Sequence, residues 1–98
     1  MTSITLNSLE ETFTEIIELM PSTFDSHAFI IKLAHRHQRL YVRALNDYAN
    51  NDRPFQTVHG EISKRLHKFS HLVHKVGETQ SEDIFGQVNS AALWEKID

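Results

Sequence analysis

The sequence predicts a mainly α-helical single domain over residues 1–98: three helices, then a segment at 78–98 that reads either as a β-hairpin or as a short C-terminal helix. Three observations predict it. Apolar residues recur at spacings of three and four through most of the chain up to Val76, the mark of helices with one buried face. Residues that start and stop helices punctuate that pattern. After Gly77 the helical period fades and polar residues take over.

In the first helix, Asn7 or Ser8 supplies the cap, with Glu10 and Glu11 in the first turn, where the helix dipole favours acids. Leu6, Leu9, Phe13, Ile16, Ile17 and Met20 form its apolar stripe, and Pro21 ends it. Asp25 or Ser26 caps a long second helix marked by Phe29, Ile30, Leu33, Ala34, Tyr41, Ala44, Leu45 and Tyr48, basic on its outer side and broken by Asn50, Asn51 and Asp52. Pro54 suits the first turn of a third helix. At about 100° per residue, Phe55, Val58, Ile62, Leu66, Phe69, Val73 and Val76 share one face of it. Thr57, Gly60, Lys64, His67, Lys68, His71 and Lys75 collect on the other, and Gly77 is its stop. Beyond it, Ile84 to Val88 alternates in part, Asn89-Ser90 has turn character, and Ala91 to Ile97 is a second short apolar segment containing Trp94. The alanines, leucine, glutamate and lysine at 91–96 suit a helix equally well.

Charge is sorted along the chain. Residues 32 to 75 hold nine basic residues against three acids, a net +6, and six of the seven histidines. The flanks sum to −9, giving the whole chain −3. A local positive field of this kind attracts phosphates or acidic protein whatever the net charge. The chain has no cysteine, which excludes disulfides, thiolate metal sites and cysteine nucleophiles and suits a reducing compartment. No apolar run reaches the roughly 18 to 20 residues that span a bilayer, and the N-terminus lacks the pattern of a signal peptide. The expectation is a cytoplasmic protein without a membrane partner.

The cationic face of the third helix is the main candidate for function. Thr57, Lys64, His67, Lys68, His71 and Lys75 would contact DNA, with Gln56 near the helix start as a further donor and Arg36, Arg39 and Arg43 of the second helix as auxiliary phosphate contacts. His67, His71 and His74 have a spacing that invites a metal, but three ligands from one helix converge poorly and lysines surround them. No metal or other cofactor is expected. Asp25-Ser26-His27 are too close in sequence for a nucleophile relay, so a cap explains them better. The three glycines form no phosphate loop, and nothing points to an enzyme.

The order of three helices, the third cationic, followed by a hairpin, resembles the winged helix-turn-helix superfamily. Thr57 to Leu66 is similar to a recognition helix of that group, and Ser81 to Ile97 would be the wing, with Trp94 packed back on the helices. The resemblance implies a non-enzymatic DNA-binding or regulatory protein, with flanking helices available for a homodimer. A wing carrying Glu82 and Asp83 would avoid DNA or serve a protein contact. The alternative is a helical module whose basic centre holds an acidic protein, or the acidic ends of a second copy.

Overall fold

A computed structural model of the chain describes residues 4–97. The described residues form five helices and a three-stranded antiparallel sheet: α1 (Ile4–Glu10), α2 (Phe13–Leu19), β1 (Thr23–Asp25), α3 (Ser26–Arg36), α4 (Gln38–Asp47), α5 (Pro54–Arg65), a 3-10 turn (Leu66–Phe69), β2 (Val73–Glu82) and β3 (Val88–Lys96). This mixed α and β architecture replaces the expected mainly α, three-helix domain.

The first expected helix is two. At their junction the Thr12 hydroxyl and backbone N–H both donate to the Leu9 carbonyl, at 2.6 and 2.9 Å, which tightens the turn. Leu6, Leu9, Phe13 and Ile16 nevertheless all reach the core, because the stripe continues across the break. The second expected helix also divides. His37 leaves the helical region (φ −129°, ψ 57°), with its imidazole Nε2 3.0 Å from Glu15 of α2. Asp25 is the cap of α3, its carboxylate accepting the Ala28 N–H at 2.8 Å. Pro54 opens α5, and Arg53 before it is held out of the helix.

The largest correction concerns the third expected helix. Its apolar stripe holds through Leu66, where the chain tightens into the 3-10 turn, and Val73 begins a strand. Val73 is buried, but Val76 is 46 % exposed at a bulge between Lys75 and Gly77, where the register to β3 shifts. A helix would have buried both. Pairing residues 73–82 with 88–96 satisfies a full ladder of backbone groups, and β-branched Val73, Val76 and Thr79 suit it better than a helix.

The strand order is β1-β3-β2. β1, with Phe24 opposite Trp94, covers β3 only at Leu93–Glu95, whereas β2 follows β3 to the Glu82–Val88 pair. The outer half of the hairpin is therefore two-stranded. One core joins the helices to the inner half of the sheet: Phe13 meets Phe29 edge-on with ring centres 5.1 Å apart, beside fully buried Leu33, Val58, Ile62 and Leu66, and Trp94 closes it from the sheet side. Among the described residues no helix is long and apolar enough to cross a membrane.

Candidate functional site

The helix α5 buries Val58 and Ile62 and leaves Gln56, Gly60 and Lys64 exposed at successive intervals of four, a polar stripe along its outer side. Thr57 and Ser63 flank that stripe, half-buried. α5 is fixed to the sheet by a short polar chain in the interior. The Trp94 indole N–H donates to Ser26 Oγ at 3.0 Å, and Ser26 Oγ lies 2.8 Å from Ser63 Oγ. Ser26 is 4 % exposed, and its hydroxyl satisfies the indole donor that Trp94 carries into the core.

The hairpin turn folds back beside this stripe. Asp83 Oδ1 accepts the backbone N–H groups of Phe85 and Gln87 at 2.9 and 3.0 Å, and Oδ2 accepts the Asn89 amide at 2.8 Å. Gly86 at φ +76° lies in the turn between β2 and β3, in a conformation that costs other residues more. The backbone N–H of Gln87 in particular holds the Asp83 carboxyl below the usual carboxylate range. Phe85 meets Phe55 of α5 edge-on at 5.0 Å, and the His27 imidazole Nδ1 lies 2.8 Å from the Ser81 hydroxyl.

Between the start of α3, the outer side of α5 and the hairpin lies a cleft of about 390 Å3. His59 enters its wall from α5, with Nε2 hydrogen-bonded to the Tyr41 hydroxyl of α4. Burial pushes the His59 imidazole below its ordinary value, an effect that nearby Asp83 opposes and His27 adds to. Burial also pushes the Tyr41 phenol up to about 12.

The residues expected to form one cationic helix face are dispersed. Thr57 and Lys64 lie on α5, His67 and Lys68 on the 3-10 turn, His71 in the following turn and Lys75 on β2. His74 is also on β2, so the three histidines at metal-like spacing occupy three elements, and the His67 ring packs edge-on against Trp94 at 4.9 Å. Several cations have acidic neighbours: Lys68 is 3.1 Å from Glu10, Arg36 3.2 Å from Glu15, Lys75 3.4 Å from Glu78 and Lys64 3.9 Å from Glu61. Arg39 and Arg43 are exposed on α4, paired with no carboxylate among the described residues.

The cleft residues His27, His59, Ser63, Asp83 and Asn89 come from α3, α5, β3 and the hairpin turn, and only His59 and Ser63 share a local spacing. The one signal within reach was Asp83 to Gly86, where an aspartate three residues before a glycine has turn chemistry. No family model, curated protein or solved structure matches this chain.

Proposed function

We propose that the chain is a non-enzymatic DNA-binding protein whose recognition element is α5. The observation that carries this reading is the exposed stripe Gln56, Gly60 and Lys64 on a helix followed directly by a hairpin. Side chains four residues apart on one helix face can reach successive base edges in a major groove, and the bare Gly60 lets the backbone come close. Gln56 offers paired donor and acceptor groups, Lys64 a charge for guanine or phosphate, and Arg39 and Arg43 phosphate contacts from α4. The resemblance to the winged helix-turn-helix superfamily attaches to Thr57–Leu66 and the hairpin that follows, with Glu82 and Asp83 keeping the wing tip off the phosphates. We place the protein in the cytoplasm on its composition: it has no cysteine, which suits a reducing compartment.

Affinity for duplex DNA should fall linearly with the logarithm of salt concentration. Lys64→Ala should flatten that slope by about one unit. Lys68→Ala, whose ammonium already faces Glu10, should change it by much less. Gln56→Ala should relax base preference at one position with little change in the slope. Absence of duplex binding at low salt by a folded protein would overturn the proposal. A second reading rests on α4, where exposed Val42 sits between Arg39 and Arg43 and suits an acidic protein surface. Under that reading Val42→Asp abolishes partner binding and Lys64→Ala does not.

A further inference from the structure

The cleft beneath the hairpin has a chemistry of its own. Its volume of about 390 Å3 is that of a small-ligand site. Gly60, Ala91 and Ala92 contribute little bulk to its walls, and Ile30 makes one side apolar, which leaves room for a ring. Around it, the Gln56 and Gln87 amides supply both donors and acceptors. A charged occupant fits poorly. An anion would face Asp83 with His59 held towards its neutral form, and a cation would find that carboxylate already accepting three hydrogen bonds.

We infer that this cleft binds a nucleobase: planar, uncharged, apolar on its faces and lined at its edges with alternating donors and acceptors. Such a base can belong to a free nucleoside or to an unpaired position in a nucleic acid strand. The Trp94 indole N–H lies behind the cleft wall through Ser26, so its resonance reports occupancy without touching the ligand. The cleft shares Gln56 and Gly60 with the α5 stripe proposed to read DNA, so duplex and nucleoside should compete for them, and free nucleosides test the cleft apart from duplex binding.

The test titrates adenosine, guanosine, cytidine and thymidine into the full chain and follows the amide resonances of Gly60, Ala91 and Ala92 and the Trp94 indole. At least one nucleoside should shift them saturably, while ribose and inorganic phosphate should not. A Cβ at Gly60 meets nothing within 4 Å, so Gly60→Leu should fold and fill the space, weakening binding by roughly tenfold or more, which is 1.4 kcal/mol or more. Gln56→Leu should weaken it as well. Lys64→Ala, outside the cleft, should leave nucleoside binding intact even where it lowers duplex affinity. Tighter binding of a single-stranded tetranucleotide than of its nucleosides assigns the base to a strand, and equal or weaker binding assigns it to a free nucleoside; either supports the site. Saturable shifts from none of the nucleosides or the tetranucleotide, the same shifts from ribose or phosphate, or full binding by a folded Gly60→Leu protein would overturn it.

Discussion

Leu66 ends the apolar stripe of α5 and is fully buried, with Ile62 one turn before it equally so. Leu66→Ala should cost about 2 to 5 kcal/mol, read from denaturant or thermal melts. A loss below about half a kcal/mol would mean that the site collapses around the smaller side chain. The residue before it, Arg65, has a side chain only 9 % exposed, with its guanidinium 2.9 Å from Asn7 and 3.2 Å from Glu10. Sequence periodicity identified Leu66 because burial on a helix follows its own repeat. It passed over Arg65 because the two partners that bury it, Asn7 and Glu10, lie more than fifty residues away on α1, beyond its i,i+4 contact with Glu61. His59 carries the pH dependence at this scale. Burial lowers its folded pKa, so as pH falls below the ordinary histidine value of about 6.5 the unfolded chain takes up the proton first. Stability should therefore drop from that point until the folded imidazole also protonates. His59→Gln, which can still bond Tyr41, should flatten that part of a melting-temperature profile, and an unchanged profile would count against the argument.

At the scale of elements, starts were more legible than ends. Asp25 was one of two expected caps for α3, and its bond to the Ala28 N–H makes it the cap. Asp25→Ala should cost about 1 kcal/mol, with Asp25→Ser nearer neutral, because a serine oxygen can accept the same bond. Equal losses for both would assign the effect to β1, where Asp25 stands opposite Leu93. The strands were legible only in part. β1 is three residues long and has no period to read, and its existence depends on a partner near position 94. The start of β2 was read as helix because Val73 and Val76 fit a spacing of 3.6 residues, and the bulge that turns Val76 outward is set by the pairing with β3. Local propensity lost there to long-range backbone pairing.

Across the whole molecule the sorted charge takes on a definite geometry. The acidic N-terminal helices lie against the basic middle, Glu10 meeting Arg65 and Lys68, and Glu15 meeting Arg36 and His37. The pairs of Lys68 and Arg36 face solvent and mask charge more than they hold the fold, whereas that of Arg65 is buried. The pairs with Arg36 and His37 also hold the Glu15 carboxyl below its usual range. The double substitution Glu10→Gln and Glu15→Gln should raise affinity for duplex DNA and steepen its salt dependence, at a modest cost in melting temperature. Weaker binding by a folded double variant would show instead that these acids position the cations they face. The sequence displayed the charge separation fully. It could not display which cations the acids would neutralise, since that depends on how α1 packs against α5 and α2 against α3.

The β1-β3-β2 order also sets a timetable for folding. The middle strand is the last of the described elements to leave the ribosome, so Phe24 waits for Trp94, about seventy positions later, before its strand has a neighbour. Until then the emerging chain has most of its helices and none of its sheet, and the Ser26 hydroxyl lacks the indole it will accept from. Contacts of such long sequence separation slow folding, because loop closure precedes any gain from pairing. A ribosome-stalled chain ending near residue 87 should thus remain sensitive to proteases at 21–25, and protection there should arrive together with β3.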